Sequence, residues 1–366
     1  MEEKHYYLLL TYFKSFGKRI FLKLIKKAGS AESLFKVKSS FFHDIKGLES
    51  KKVDQFLEER KSFNLKEIIK DLNKKNIKYV AINQNEYPER LKNIYDPPLV
   101  LFYKGKKIKD KKYPLGVVGT RKATHYGKKT VRKFLRKFDK RFSIISGMAY
   151  GIDTEAHKNA IKNNLYTVAV LGNGVDYIYP SENRKLYHEI MQSGTIISEF
   201  LPTTKPKRFR FPMRNRIISG LSRGVVVIEG PKKSGSLITA KSALSQNRDV
   251  FTVPGNIFKP NSQGPHKLLR KGATPVTEAK DFYKYWKINS SKKKNFKKKL
   301  DYDFNKKEKI ILDNMNNFKA INIDELFMKI DGKIALNKLL SELFKLKMKG
   351  IVKELPGKKF ILEEKI

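Results

Sequence analysis

Glycines, small hydroxyl residues and an arginine directly follow several apolar segments of this sequence, and these residue types can bind phosphate groups. Four loops have this composition: Gly119-Thr120-Arg121, Ser146-Gly147, Gly172-Asn173-Gly174 and Ser234-Gly235-Ser236, with Thr239 one turn beyond the last. Glycine allows the backbone to approach a ligand closely, and amides at the start of a helix attract anions. Loops of this kind at one edge of one sheet predict a phosphate-binding groove, to which Arg121 would add a bidentate grip.

The segment Pro202–Asn215 (PTTKPKRFRFPMRN) combines basic and aromatic residues more densely than any other. Its basic residues, with the arginine just beyond it, are Lys205, Lys207, Arg208, Arg210, Arg214 and Arg216, and Phe209 and Phe211 lie among them. Prolines are expected to hold the segment as an extended loop. Basic groups can follow a sugar-phosphate backbone while a ring stacks on an unpaired base. The alternative, that one of the phenylalanines belongs to the core, stays open.

The sequence signals for a catalytic or metal-binding site are weaker than those for phosphate binding. Asp153 and His157 are four residues apart and could hold a metal, but an N-cap aspartate with a polar neighbour is the more ordinary explanation. Glu199 and Glu229, near strand ends, are the only carboxylates placed there for acid–base chemistry, and structural caps explain them better. The sequence has no G-x-G-x-x-G or P-loop motif, and no G-x-S-x-G motif surrounds Ser146 or Ser234, the serines that could act as nucleophiles. We therefore predict no catalytic residue, no metal and no cofactor.

The charge of the chain points to a polyanionic partner. The 366 residues include 79 Lys and Arg against 36 Asp and Glu, a net charge of +43, and residues 101–290 alone carry 38 − 12 = +26. A compositional bias toward lysine is the alternative, although such a bias should also raise glutamate. The absence of cysteine excludes disulfides and thiolate chemistry and favours a cytoplasmic setting. No apolar run has the length of a membrane span, and no signal peptide is indicated.

The central region alternates short apolar segments with helical patterns, which predicts a doubly wound, mostly parallel sheet of the extended Rossmann-like α/β class. The predicted strands are Val100–Tyr103, Leu115–Val118, Ser143–Ile145, Thr167–Leu171, Thr195–Ile197, Val225–Ile228 and Asp249–Val253. The predicted helices are Lys128–Phe138, Asp153–Asn163, Asn183–Ser193, Arg214–Leu221 and Ser236–Ser245. Sheets of this class bind ligands at the carboxyl ends of their strands, where the phosphate-binding loops fall.

Four segments are predicted. Residues 1–80 are a small helical domain of the SAM or helix-hairpin-helix kind, and 81–286 are the Rossmann-like domain. Residues 287–305 are a basic linker that contains the lysine run Lys292–Lys299. Residues 306–366 show three helical patterns followed by a hairpin at a Pro356-Gly357 turn, the order of a winged-helix domain.

Seven ordered motifs resemble the DNA processing protein A family (DprA, also called Smf). They are YPERLKNIYDPPLVLFYKG from Tyr87, VVGTR from Val117, SGMAYGID from Ser146, AVLGNGVDYIYPSEN from Ala169, FPMRNRII from Phe211, SGSLITA from Ser234 and VFTVPG from Val250. The resemblance implies a Rossmann-like protein that binds single-stranded DNA without sequence preference. It also implies loading of the RecA recombinase onto incoming DNA in natural transformation, and a homodimer formed through the Rossmann-like domain.

The residues predicted to bind DNA follow from the loops, the basic segment and this resemblance. They are Gly119, Arg121, Ser146, Gly147, Lys207, Arg208, Phe211, Arg214, Asn215, Ser234, Gly235, Ser236 and Thr239. Two positions depart from the family pattern, since His266 stands where asparagine is common and Arg208 where lysine is frequent.

Two other functions compete with this interpretation. One is a nucleotide-cleaving phosphoribohydrolase of the lysine-decarboxylase-like Rossmann group, whose P-G-G-x-G-T-x-x-E segment corresponds to SGSLITA here. This chain has no glutamate at the end of that segment and so lacks the obvious acid–base group. The other is a winged-helix regulator whose affinity for duplex DNA resides in residues 306–366.

Overall fold

The computed structural model describes residues 1–43, 45, 47–289, 304–315 and 320–362. The chain divides into two compact units, Met1–Asn289 and Ser290–Ile366. Most of the predicted linker, including Lys292–Lys299, lies outside the described residues. Within the described ranges, no helix is both long and apolar enough to cross a membrane.

Within the described residues, five α-helices and a short 3-10 helix, Ser39–Phe42, precede the sheet. The α-helices are α1 Glu3–Leu10, α2 Lys18–Ala28, α3 Ala31–Lys36, α4 Ser50–Ser62 and α5 Leu65–Lys74. Helix α2 places Phe21, Leu24 and Ile25 at helical spacing on its buried side. Phe56 of α4 packs against Phe21 with ring centroids 6.1 Å apart, so aromatic contacts hold these helices together.

The main sheet has nine strands in the order β1-β2-β6-β5-β4-β3-β7-β8-β9. Their bounds are β1 Lys78–Ala81, β2 Val100–Gly105, β3 Tyr113–Val118, β4 Phe142–Ser146, β5 Tyr166–Val170, β6 Thr195–Ser198, β7 Gly224–Val227, β8 Asp249–Thr252 and β9 Thr274–Pro275. All neighbouring strands from β6 to β9 pair in parallel. Strand β1 pairs antiparallel with β2, and β2 pairs antiparallel with β6. The predicted mostly parallel α/β sheet is confirmed. Strand β1 was not predicted, and it crosses the expected boundary between residues 80 and 81.

Helices cover both faces of the sheet. They are α6 Glu89–Lys92, α7 His125–Leu135, α8 Ile152–Lys162, α9 Arg184–Ser193, α10 Arg210–Leu221, α11 Ser236–Ser245, α12 Gln263–Leu269 and α13 Ala279–Tyr285. Successive residues of β4 point to opposite faces of the sheet. Ile144 belongs to the core under α7, α8 and α13, and Ile145 belongs to the core under α9, α10 and α11. Burial on both faces explains why the strands read as continuous apolar runs.

Helix α10 begins earlier than the sequence predicted. Pro202–Asn215 was expected to be extended, but the helix begins at Arg210 and includes Pro212 in its first turn. A proline is accommodated there, because the first N–H groups of a helix have no partner within the helix. The prediction of an extended loop was therefore wrong for the last part of this segment.

The second unit is described by itself. It contains α14 Lys306–Asp313, β10 Ile321–Asn322, α15 Ile323–Ile330, α16 Leu336–Met348, β11 Val352–Leu355 and β12 Lys359–Leu362. The strands form an antiparallel sheet in the order β10-β12-β11. Leu326, Leu339 and Leu343 are fully buried in its core. The predicted helices and hairpin are present, and the two-residue strand β10 was missed because it is too short to show a pattern.

Candidate nucleic-acid interface

A cleft of about 650 Å³ opens at the carboxyl ends of β3 and β7. The chain passes from β3 to β4 on one side and reaches β7 on the other, so these two strands flank the point where the strand order reverses. Crevices at such points are the usual ligand sites of open α/β sheets. The cleft is lined by ten of the thirteen predicted residues: Gly119, Arg121, Arg208, Phe211, Arg214, Asn215, Ser234, Gly235, Ser236 and Thr239.

Two helices begin at the cleft. Phe211 and Pro212 in the first turn of α10, and Gly235 and Ser236 at the start of α11, are among its lining residues. The positive end of each helix dipole therefore faces the same space, which favours an anion there. The hydroxyls of Ser234 and Ser236 lie 2.8 Å apart and add donors beside the start of α11.

Phe211 lines the cleft and has both a cation and a second ring beside it. The Arg121 guanidinium carbon is 5.6 Å from its ring centroid, and the Tyr179 ring is 5.5 Å away at an interplanar angle of 35°. A side chain at Gly172 would come within 2.9 Å of the ring, so the glycine makes room for it. Phe211 is half-buried and lines the cleft, whereas Phe209 is exposed beside Arg210. The sequence left open which ring was available to a base.

Arg214 lies beneath the cleft, and its guanidinium already has partners in the protein. Nη1 donates to the carbonyl oxygen of Gly147 at 2.8 Å and also to that of Val170, and the side chain is almost completely buried. Burial lowers the pKa of Arg214 to about 10, against the opposing effect of the charge on Asp153. A side chain at Gly147 would come within 2.4 Å of Nη2, which explains the glycine.

Asp153 is the buried counter-charge of Arg214. Its Oδ2 accepts the N–H of Gly147 at 3.1 Å, and burial raises the pKa of Asp153 to about 6 although Arg214 opposes this. It is the second residue of α8 rather than the N-cap, which is Gly151. His157 is buried, with Nδ1 2.8 Å from the Thr167 hydroxyl. Among the described residues, no group of three His, Asp or Glu side chains could hold a metal ion.

The three remaining predicted residues do not line the cleft. The Ser146 hydroxyl is buried and donates to the carbonyl of Val117 at 2.7 Å. Gly147 lies with it at the end of β4, next to Arg214. Lys207 is exposed shortly before α10. Ser146 and Gly147 thus belong to the support of the cleft.

The two glutamates near strand ends have structural partners. Glu229 accepts the N–H of Thr124 at 3.0 Å and its hydroxyl at 2.5 Å, so it fixes the start of α7. Glu199 is not a cap but an ion-pair partner, 2.9 Å from Lys18 and 2.5 Å from Arg216. These contacts join α2 of the first helices to α10, and Arg216 Nε also pairs with Asp96 at 2.9 Å. Partners so distant in sequence gave no local signal.

Comparisons with known proteins agree with the resemblance seen in the motifs. Residues 78–287 match the family model described as DNA recombination-mediator protein A. The DNA processing protein DprA of Bacillus subtilis (strain 168) is 46% identical over 209 residues, 57% of this chain and 70% of that protein. The X-ray structure of DNA processing protein A from Streptococcus pneumoniae is 35% identical with a TM-score of 0.68, covering 78% of this chain and 98% of that one.

A second solved structure is that of DNA processing protein A from Helicobacter pylori, a protein with a single-stranded DNA binding mode. It is 30% identical with a TM-score of 0.52 and covers 58% of this chain and 97% of that one. The family model describes a recombination mediator rather than an enzyme, in agreement with the prediction from sequence. More than half of the chain matches this model, and the fold is shared with solved members. The chain therefore belongs to the DNA recombination-mediator protein A family.

Proposed function

We propose that this chain binds single-stranded DNA without sequence specificity in the cleft between β3 and β7. The observation that carries the proposal is the composition of the cleft, which combines exposed arginines, two helix starts and a half-buried phenylalanine. In duplex DNA the faces of the bases are stacked on neighbouring base pairs, whereas in a single strand both the phosphates and the base faces are accessible. The single-stranded DNA binding mode of the H. pylori protein supports the same ligand.

Each predicted residue then has a distinct role. Arg121, Arg208 and Lys207 neutralise phosphates, and the hydroxyls of Ser234 and Ser236 donate to phosphate oxygens. Phe211 stacks on a base. Gly119 and Gly235 let the backbone approach the strand, and Asn215 and Thr239 contact it directly. Ser146, Gly147 and Arg214 support the cleft. Binding is independent of sequence because phosphate contacts carry no sequence information and every base has a face to stack.

We also propose that the bound strand is passed to RecA in the cytoplasm during natural transformation, and that two copies associate through the Rossmann-like domain. The family description as a recombination mediator supports this role. The nucleotide-cleaving alternative is not favoured. The segment Ser234–Ala240 ends without a carboxylate, and Glu199 and Glu229 are both bonded to protein groups.

The affinity for DNA should fall steeply as salt is raised. Each phosphate contact to a single strand is expected to contribute a slope of about −0.7 to log K against log salt concentration. Gel shifts with an oligothymidine and a matched duplex at several salt concentrations measure both slope and preference. Duplex binding as strong as single-strand binding, or an affinity independent of salt, would contradict the proposal.

Removing Ser290–Ile366 should leave single-strand affinity nearly unchanged. We propose that this unit is a winged-helix domain that takes no essential part in single-strand binding. Leu336, Leu340, Phe344 and Met348 lie exposed one turn apart on α16, and an apolar stripe of this kind suits a protein contact better than a contact with base edges. At 150 mM salt we expect Kd to change by less than about threefold, which is under about 1 kcal/mol.

The control for this truncation is the fluorescence of Trp286, the single tryptophan, which lies in Met1–Asn289 and reports whether that unit stays folded. A folded, truncated protein that no longer binds oligothymidine would favour a duplex-DNA regulator acting through the second unit.

A further inference from the structure

Exposed tyrosines are concentrated where β4 and β5 end, beside the cleft. Tyr150 follows β4 and is 40% exposed, and Tyr179 follows β5 and is 38% exposed. Neither was among the residues predicted from the sequence, because no pattern distinguishes an exposed tyrosine from a core one. A partly exposed ring next to a nucleic-acid cleft is available to stack on a base.

Tyr179 contacts the cleft directly, and Tyr150 is close to Tyr179. The guanidinium of Arg121 and the ring of Tyr179 both lie beside Phe211, at 5.6 Å and 5.5 Å from its centroid. Tyr150 is near enough to Tyr179 for the two phenols to interact electrostatically, and its hydroxyl donates to Glu182 Oε2 at 2.5 Å. This hydrogen bond to Glu182, with a smaller effect of nearby Tyr179, raises the pKa of Tyr150 to about 12. The hydrogen bond to Glu182 restrains the Tyr150 ring.

The positive groups of this region line the cleft itself: Arg121, Arg208 and the starts of α10 and α11. Glu182, exposed beside Tyr150, would repel a phosphate, but it does not oppose an uncharged base. A strand in the cleft is thus expected to turn its backbone toward the arginines and its bases toward the tyrosines.

We propose that Phe211, Tyr179 and Tyr150 form a stacking row for bases of the bound strand, with Tyr179 and Tyr150 as binding residues beyond those predicted from the sequence. This inference rests on the proposed single-strand binding and adds the path that the bases follow. Ring–base stacking is tolerant of sequence, so the row extends the site without adding base specificity. Because the rings are already held by Phe211 and Glu182, little side-chain entropy is lost on binding.

Removing either ring should weaken binding to bases but not to the backbone. Tyr150→Ala and Tyr179→Ala are each expected to lower affinity for oligothymidine at least about fivefold, the lower end for one base stacked on one ring. An oligonucleotide of the same length with abasic sites should bind variants and wild type equally. The salt slope should stay unchanged, and Tyr179→Phe, which keeps the ring, should bind like wild type.

Tyr285→Ala is the matched control. Tyr285 is 47% exposed and donates to Asp249 at 3.2 Å, as Tyr150 does to Glu182, but Asp249 is the first residue of β8, at the opposite edge of the sheet. Its affinity for oligothymidine should equal that of wild type. Tyr150→Ala does not remove a neighbour of Phe211, so it tests stacking even if Tyr179→Ala disturbs that ring.

The outcomes separate this inference from the proposed function. If wild type binds no single-stranded DNA, the proposed function fails first. If wild type binds and Arg121→Ala weakens it, while Tyr150→Ala and Tyr179→Ala bind oligothymidine like wild type, only the stacking row is wrong. An equal loss on the abasic oligonucleotide would show that the rings act through the fold or backbone, which also overturns the proposal.

Discussion

Replacing Arg121 with alanine should weaken single-stranded DNA binding about 10-fold to 100-fold, the equivalent of about 1.5–3 kcal/mol for a hydrogen bond to a charged group. Arg121 is exposed at the end of β3, lines the cleft and lies over the Phe211 ring. Its loss removes a phosphate contact and a cation next to the first stacked base. The factor should be the same for every sequence tested, since phosphates do not differ between sequences.

The salt dependence identifies the contact that is lost. The slope of log K against log salt concentration should become shallower by about 0.7 in Arg121→Ala, the value for one phosphate contact to a single strand. Arg121→Lys should recover part of the affinity, because lysine keeps the charge but not the planar fork. Fluorescence anisotropy with labelled oligothymidine at several salt concentrations measures both quantities.

Lys140→Ala is the matched control for charge. Lys140 is exposed and precedes β4, so it lies at the opposite edge of the sheet from the cleft. The Lys140→Ala substitution removes the same single charge as Arg121→Ala. At 150 mM salt, however, a charge farther from the DNA than the Debye length of about 8 Å is screened. We expect its affinity to change by less than about twofold. Equal losses in Lys140→Ala and Arg121→Ala would mean that binding reflects net charge and not this cleft.

Several features of the first unit were predictable because they depend on local sequence. The apolar runs of β3, β4 and β7 and the helical pattern of Ser236–Ser245 gave elements within a few residues of those observed. A strand buried on both faces shows its pattern in its own residues. The glycine-rich loops were then expected to meet, since the carboxyl ends of parallel strands share one edge.

Other features depend on residues distant in the chain, and no local pattern could reveal them. Arg214 and Arg208 stand in the same basic segment, but one is buried under the cleft and the other is exposed at it. The ion pairs of Glu199 join residues from α2 and α10. Tyr179 became a candidate only when its ring was found beside Phe211. Sequence therefore identified the edge of the sheet, and three-dimensional packing distinguished contact residues from supporting ones.

Replacing Arg214 with methionine should destabilise the first unit strongly as well as weaken DNA binding. The change leaves Asp153 buried without its counter-charge and the carbonyls of Gly147 and Val170 without a donor. Breaking a buried pair from one side costs about 3–5 kcal/mol, and we expect a thermal midpoint lower by about 10 °C. Denaturant unfolding followed by Trp286 fluorescence measures the loss in the unit that contains this residue.

Asp153→Asn supplies the matched variant and tests the pH dependence. The pKa of Asp153 is raised from 3.8 to about 6 by burial, so its contribution to stability is present below pH 4 and is lost as pH rises through about 6. The free energy of unfolding of Asp153→Asn should lack this fall. The variant should therefore gain stability relative to wild type as pH rises across the same window.

The double variant Arg214→Met with Asp153→Asn decides whether the two residues act as a pair. Asparagine removes the uncompensated charge, so the double variant should be more stable than Arg214→Met alone, with a coupling energy above about 0.5 kcal/mol. In Arg214→Met alone, the pKa of Asp153 should rise further, and the fall in stability should therefore extend to higher pH. If the two losses simply add, Arg214 supports the cleft through its carbonyl contacts alone, and the proposed charge pair beneath the site is wrong.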